Sequence, residues 1–278
     1  MILGGQIVAH VMQAPPIYVP FVGELFAWQT VFLIVGLPGL LMALLMTTVR
    51  EPQRRENLPG QRARMALSAV GKFLGSRWRL YGSHFLGMSC VATLAYGLLS
   101  WIPTMFIRTW GWSIADIGLA YGLTVIIAGP LSALAASWLS ERLDKAGYQD
   151  AHMRAALYLM VGGSLGAVAS ALAPWPWLSI VLLLPASMGT TAATACGLTG
   201  LMMATPNQMR AQASAGYYLV VNVFGLTIGP TGIALFTDYV FRDTMALRYS
   251  VACLAVLAGV LALLLLSFNL KQYRLGLE

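Results

Sequence analysis

The lysines and arginines of this chain lie mostly on one side of its hydrophobic stretches, and this restricts the possible folds more than any other feature. Fourteen of the seventeen follow every second stretch, whereas only Arg108, Arg242 and Arg248 occupy the alternate gaps. Positively charged loops stay in the cytoplasm during membrane insertion. The alternation therefore predicts a multi-pass membrane protein with residues 50–83 and the C-terminus inside. The eight stretches cover about 3–22, 29–49, 84–107, 114–139, 155–173, 177–204, 213–237 and 249–268.

The composition favours membrane helices over other structures. Hydrophobic residues make up 58% of the chain and charged residues 10%, compared with roughly 25% charged in an average soluble domain. About 20 apolar helical residues cross a bilayer, and backbone groups in lipid must be paired within a helix or a closed barrel. Runs such as 251–266 do not alternate between apolar and polar residues as barrel strands do. We therefore expect an all-α integral membrane protein with the lipid bilayer as its main partner.

The sequence offers no motif for catalysis, for a cofactor or for a metal. It contains no phosphate-binding loop, no nucleophile elbow and no metal-binding helix motif, so we expect neither an enzyme nor a resident cofactor. Its cysteines and histidines are scattered without ligand spacing: Cys90, Cys196, Cys253, His10, His84 and His152. His84 either relays protons or lies at a helix end in the interface. The net charge of +7 belongs to loops beside the stretches, which argues against nucleic acid as a partner.

The longest polar segment divides the stretches into two before it and six after it. This linker covers residues 50–83, and its second half, from Met65 to Leu74, predicts an amphipathic helix at the inner membrane surface. The first stretch is the poorest of the eight, because polar residues and the pair Pro15–Pro16 interrupt it. That stretch needs protein around it rather than bare lipid.

Four places in the sequence carry a family resemblance. They are WQTVFLIVGLPGL at 28–40 with VREP at 49–52, WLSERL at 138–143, PNQMRAQASA at 206–215, and TDYVF at 237–241 with LRYS at 247–250. In that order they resemble the sixth helix and its exit, the second copy of the cytoplasmic Gly-x-Leu-x-Asp-Arg signature, the start of helix eleven and the turn into helix twelve of the major facilitator superfamily. The last resembles its spinster-like bacterial branch.

The resemblance implies a fold and a division of the chain. Members of the superfamily have twelve helices in two six-helix halves, joined by a long cytoplasmic linker. Residues 1–49 then match the last two helices of the N-terminal half, 50–83 the linker, and 84–278 the six-helix C-terminal half. We expect an incomplete major facilitator fold with about eight of twelve transmembrane helices. The first four helices have no match, as in a C-terminal piece or a shortened reading frame.

Three charged residues are candidates for a cytoplasmic gate. Glu141 and Arg142 end the fourth stretch, within the signature, where the family has Asp in place of Glu141. Family pseudo-symmetry suggests that Glu141 contacts the helix beginning near Leu3–Gln6, with Arg210 as a further latch partner. The alternatives are an ordinary charged helix end for the first two residues and a topology determinant for Arg210.

Five polar or aromatic residues are candidates for a substrate cavity. They are Asn222, Tyr217, Tyr218, Tyr96 and Trp101. Asn222 lies near the middle of the seventh stretch, where it either bonds a solute or joins two helices by a hydrogen bond. Tyr96 and Trp101 face either the cavity or the lipid.

Two Gly–Pro pairs are candidates for hinges. Gly129–Pro130 and Gly229–Pro230 occupy the second stretch of each three-stretch group after the linker, and each either hinges or forms a static kink. The glycine-rich runs 162–166 and 225–229 predict close helix packing.

The resemblance implies a secondary active transporter in the bacterial inner membrane. It would move a small organic solute, amphipathic or anionic, by alternating access, driven by a proton or ion gradient or by simple downhill flow. The alternative is a truncated, non-transporting remnant or a scaffold membrane protein.

Overall fold

A computed structural model describes residues 7, 10–11, 17–19, 23–49 and 66–275 of this 278-residue chain. The chain divides into two compact units. One comprises residues 1–64 with 113–122, and the other comprises residues 65–112 with 123–278.

The first unit contains a short hairpin and a long helix. Strands β1 (Ile17–Val19) and β2 (Gly23–Leu25) are antiparallel, with Ile17 opposite Leu25. Helix α1 (Ala27–Met46) follows, and the backbone N–H of Phe26 donates to the side-chain oxygen of Gln29 at 2.9 Å, which satisfies one free group at its start. Thr30 is the only buried residue of α1. A helix that is apolar all round is suited to lipid or to other membrane helices.

The strand at residues 17–19 differs from the helical span predicted over 3–22. Two prolines precede the strand, and the residue before a proline is disfavoured in the helical region. Ile17, Tyr18 and Val19 are β-branched or aromatic, which favours extended structure. The remainder of that predicted span lies largely outside the described residues.

The second unit is built from long helices. Its members are α2 (Leu67–Ser76), α3 (Trp78–Trp110), α4 (Ile114–Lys145), α5 (Ala151–Leu172), α6 (Pro176–Ala204), α7 (Arg210–Leu235) and α8 (Leu247–Leu275). Helix α4 contributes its first turns to the first unit and the rest to the second. A π-helical turn, Phe236–Phe241, and a 3-10 turn, Thr244–Ala246, connect α7 to α8.

Seven helices among the described residues are long and apolar enough to cross a membrane, and they coincide with the last seven predicted stretches. Most helices run past their apolar stretch: α3 begins at Trp78 rather than at residue 84, and α8 ends at Leu275 rather than at 268. The helical hydrogen bonds continue where the residues become charged, because the end turns lie in the polar interface and not in hydrocarbon.

Helix α3 is the centre of the second unit. It packs against α6, α7 and α8, while α5 packs against α6 and α8. A Cβ atom on Gly189 of α6 would lie 2.5 Å from the Cα of Gly163 on α5, so both backbones approach as closely as atoms allow. The prediction of close packing for the run 162–166 is confirmed. Such contacts drive helix association in lipid, where the hydrophobic effect is absent.

Helix α2 lies against the bundle through one face. Val70 is buried, and the ring of Phe73 packs on the ring of Tyr81 in α3 with centroids 5.9 Å apart. Lys72 of α2 is exposed, as is Arg77 directly after the helix. The helix is thus amphipathic, and it covers the end of the bundle where the predicted inner side lies.

Candidate functional site

One narrow face of α7 and its short following turn contacts the rest of the unit. Its buried residues recur at every fourth position: Ala213, Tyr217, Val221, Gly225, Gly229, Ile233 and Thr237. This spacing makes a single stripe along the helix. The remaining faces of α7 stay largely exposed in this unit, so side chains beside the stripe can reach both α3 and the surface.

Tyr96 and Asn222 form a polar pair at the middle of α3 and α7. The Tyr96 hydroxyl donates to Oδ1 of Asn222 at 2.6 Å, and Nδ2 of Asn222 donates to the carbonyl of Tyr218 at 2.8 Å. Both side chains are half-buried. An amide has two donors and can accept twice, and a phenol can also accept. One amide hydrogen and acceptor positions on both groups therefore remain for a further partner.

The other three cavity candidates lie in different surroundings. Tyr218 is exposed beside the pair, whereas Tyr217 is fully buried, with its ring centroid 5.5 Å from that of His84. Trp101 donates its indole N–H to the carbonyl of Pro230 at 2.9 Å. The structure therefore brings Tyr96, Asn222 and Tyr218 together, places Tyr217 on the packed face, and engages the polar atom of Trp101 between helices.

His84 is buried within the bundle, near the start of α3. Its side chain is 3% exposed and packs against the rings of Phe85, edge to face, and Tyr217, at a tilt. Nε2 of His84 and the hydroxyl of Tyr217 have no hydrogen-bond partner among the described residues. His84 lies six residues after the start of α3, where other helices cover it, and its two proposed roles stay predictions.

The two Gly–Pro pairs have opposite environments. A Cβ atom on Gly229 would lie 2.5 Å from the carbonyl oxygen of Thr93, so α7 and α3 touch backbone to backbone there. A Cβ atom on Gly129 would meet nothing within 4 Å, and Gly129 and Pro130 are exposed. Movement at Gly229–Pro230 must therefore alter the α3–α7 contact. Movement at Gly129–Pro130 meets no such obstacle.

The three gate candidates make separate contacts. Glu141 lies 3.9 Å from Lys145, both largely exposed, and the guanidinium of Arg142 lies over the ring of Trp138 at 5.3 Å. Nε of Arg210 donates to the carbonyl of Thr205 at 3.1 Å. The contact proposed for Glu141, near Leu3–Gln6, lies outside the described residues. The gate stays a prediction.

A buried charge cluster went unrecognised in the sequence. Asp150, 1% exposed, accepts two hydrogen bonds from Arg154, at 3.0 and 3.2 Å, and its Oδ2 lies 3.1 Å from Nε of Arg274. The cluster joins the start of α5 to the end of α8. The spacing of four residues between Asp150 and Arg154 could have indicated their pairing. Nothing local indicates Arg274.

The described residues include no group of three His, Cys, Asp or Glu side chains that could hold a metal ion. The cysteines Cys90, Cys196 and Cys253 are free. The arrangement can support hydrogen bonding to a further partner through Tyr96 and Asn222.

Comparison with known proteins adds a family. Residues 8–230 match the family model of the Major Facilitator Superfamily. An MFS-type efflux pump of Mycolicibacterium smegmatis (strain ATCC 700084 / mc(2)155) is 26% identical over 242 residues, which cover 84% of this chain and 53% of that protein. The chain thus spans about half the length of this curated relative.

Two solved structures share the fold. Both are crystal structures of a bacterial homologue of the human lysosomal transporter Spinster in an inward-facing conformation. The unoccupied form gives a TM-score of 0.65 at 19% identity, covering 98% of this chain and 64% of that one. The occupied form gives 0.58 at 20% identity, covering 90% and 57%.

Proposed function

Because this chain belongs to the major facilitator superfamily, we propose that it takes part in moving a small organic solute, amphipathic or anionic, across a membrane by alternating access. The chain is a multi-pass membrane protein, with seven described helices long and apolar enough to span. The crystal structures that it resembles are of a transporter homologue, and its curated relative is an efflux pump. These similarities support the reaction class, and the amphipathic or anionic nature of the solute is what the resemblance to the spinster-like branch implies.

The observation that carries the proposal is the hydrogen-bonded pair Tyr96–Asn222. Polar groups at the centre of a membrane helix are expensive, and they mark substrate pathways. This pair keeps free hydrogen-bonding capacity, and Tyr218 presents an exposed ring one helical turn away. An amphipathic solute would hydrogen-bond to the amide and the phenol while its apolar part contacts the ring. The pair also joins α3 to α7, so occupation of the site would be coupled to the packing of these helices.

The gate and the energy source follow from the same proposal. Glu141, Arg142 and Arg210 would close the inner side, and the Gly–Pro pairs would permit bending of α4 and α7. No phosphate-binding loop exists in the sequence, so an ion or proton gradient is the proposed energy source. The charge distribution supports a C-terminus on the cytoplasmic side of a bacterial inner membrane.

Transport by the purified chain in liposomes tests the proposal. We expect saturable uptake of a fluorescent amphipathic organic anion, and a rise in KM of about five- to 140-fold for Asn222→Ala, because a lost hydrogen bond that leaves its partner unsatisfied costs about 1–3 kcal/mol. Tyr96→Phe should raise KM less, since the amide remains. Tyr239→Phe, on an exposed tyrosine of the α7–α8 connection, is the matched control and should behave as wild type.

The alternative results are distinct. If Asn222→Ala lowers the unfolding temperature but leaves KM unchanged, the pair only joins helices and the solute site lies elsewhere. If wild-type protein shows no saturable uptake of any anionic or neutral amphipathic solute tried, the chain is a non-transporting remnant or scaffold.

A further inference from the structure

A groove of about 370 Å³ lies at the end of the second unit where α2 covers the bundle. Residues of five helices or their connections line it, including Phe73, Arg77, Leu80, Thr205, Arg210 and Tyr273. Its volume is within the range of about 300–1,000 Å³ typical of small-ligand sites. The solute site proposed above, at Tyr96 and Asn222, shares no residue with it.

The charges in the groove are of one sign. Two of its nine lining residues are arginines and none is acidic. The ion pairs found among the described residues join Glu141 to Lys145 and Asp150 to two other arginines, so neither Arg77 nor Arg210 takes part in one. Two guanidinium groups in one concave site without a carboxylate attract an anion, and their planar forks suit phosphate oxygens.

Rigid neighbours hold one of these arginines in place. Nε of Arg210 donates to the carbonyl of Thr205 at 3.1 Å, which leaves its terminal nitrogens for a ligand. The hydroxyl of Thr205 donates to the carbonyl of Leu201 at 2.7 Å and lies 3.2 Å from the hydroxyl of Tyr81. Thr205 and Tyr81 are both buried. The loop that orients Arg210 is therefore tied to both α6 and α3.

The other wall of the groove comes from the amphipathic helix. The guanidinium of Arg77 lies 5.3 Å from the ring centre of Phe73, a cation–π distance, and Phe73 packs on Tyr81. The same buried tyrosine thus supports both arginines, Arg210 through Thr205 and Arg77 through Phe73. Both arginines are exposed at the groove, and the buried residues Tyr81 and Thr205 beneath them fix the elements that carry them.

We propose that this groove binds a phosphate group, and that Arg77 and Arg210 hold its oxygens. Basic pockets between membrane helices on the cytoplasmic side commonly hold phosphorylated lipid headgroups. The apolar side chains of Phe73 and Leu80 line the same groove beside the arginines. The phosphate belongs either to an anionic phospholipid or to a soluble phosphate, and the experiment separates these two sources.

Thermal unfolding of the purified full chain in the uncharged detergent dodecyl maltoside tests this proposal. The protein is titrated with dioctanoyl-phosphatidylglycerol and, separately, with inorganic phosphate. We expect a saturable rise in unfolding temperature, and Arg77→Gln with Arg210→Gln should weaken the apparent affinity at least about tenfold, because charge-assisted hydrogen bonds are lost. Arg79→Gln is the matched control: Arg79 lies over Trp78 outside the groove, and we expect a change below about threefold.

The possible results either identify the phosphate that the groove binds or overturn the site. A variant-dependent effect with the phospholipid alone identifies a lipid headgroup, and the same effect with inorganic phosphate identifies a soluble phosphate. Equal losses in the double variant and in Arg79→Gln, or no loss in the double variant, overturn the site. If the double variant does not fold, each single variant is measured, with an expected loss of roughly fivefold. The titration measures binding to the groove, so a failure of the proposed transport function would not count against the phosphate site.

Discussion

At the scale of single residues, Arg248 binds the end of a neighbouring helix. Arg248, on the side with few positive charges, donates from Nε to the carbonyl of Ala171 at 3.0 Å and from Nη2 to the carbonyl of Ala173 at 2.7 Å. These carbonyls end α5, where a helix leaves acceptors without internal partners. A cation at a helix C-terminus is also favoured by the helix dipole. This explains an arginine at the start of α8, on the side where topology alone favours few positive charges.

The acid Asp150 allows a direct prediction. Asp150→Asn removes the charge that holds Arg154 and Arg274, so we expect the free energy of unfolding to fall by about 2 kcal/mol. Glu141→Gln breaks only an exposed pair, and its loss should stay below about 0.5 kcal/mol. Denaturant unfolding of the detergent-solubilised protein measures both changes. Equal effects of the two substitutions would show that the buried cluster contributes no more than a surface pair.

Substitution of Glu141 also tests whether this residue closes the cytoplasmic gate. Its replacement by Gln should leave stability intact and change the transport rate if the carboxylate closes the inner side. An unchanged rate and unchanged accessibility of that side would remove it from the gate.

At the scale of elements, the contact between α3 and α7 depends on the absence of side chains. Besides Gly229, a Cβ atom on Gly225 would lie 2.8 Å from the Cβ of Ala92. The packing predicted for the run 225–229 is confirmed. Close approach at this point places Tyr96 within bonding distance of Asn222, so the glycines position the candidate site without touching a solute.

The paired glycines before proline provide a matched experiment. Gly229→Ala pushes a methyl group into the backbone of α3, and overpacking of this kind costs about 1–3 kcal/mol. Gly129→Ala meets open space and removes a poor helix former, so we expect no loss and up to about 1 kcal/mol of gain. Thermal unfolding of both variants measures the difference. A similar loss for the two would contradict the helix contact.

At the scale of the whole molecule, the side of each connection follows from charge. The α2 segment and the end of α8 carry arginines and lysines, whereas the α7–α8 connection between Phe236 and Ala246 carries Arg242 and two acids. The unequal number of Lys and Arg residues in the loops on the two sides of the membrane sets the orientation of the protein during insertion. The two ends of the bundle should therefore face opposite compartments.

Single-cysteine labelling checks this orientation. In a chain whose three native cysteines are replaced by Ala, Asp243→Cys should react with a membrane-impermeant maleimide in intact cells. Lys271→Cys should react only after permeabilisation, because the C-terminus is expected inside. Both positions are exposed in the fold. The reverse reactivity would invert the orientation and the direction assigned to the gate.

The existence and approximate position of the spans were largely predictable. Each segment that crosses lipid must be about 20 apolar residues long and must pair its own backbone groups. Apolar length therefore identifies a helix without knowledge of its neighbours. Apolar length predicts the last seven stretches correctly, and the signal is weakest over 3–22, where prolines and polar residues interrupt the run. The helix ends were underestimated, as at Trp78, because hydropathy marks the hydrocarbon and not the hydrogen-bonded helix.

By itself the sequence determined that this chain is helical, crosses a membrane repeatedly and resembles the major facilitator superfamily, since hydropathy, charge and short motifs act locally. Only the tertiary structure decided which polar groups meet. Tyr96 bonds a residue 126 positions away, and Asp150 pairs with Arg274 near the other end of the unit. Helices of almost uniform hydrophobicity carry little information about which faces touch, because lipid and a neighbouring helix are equally apolar. Steric fit at glycines such as Gly229 makes that choice, and it exists only once the helices are packed.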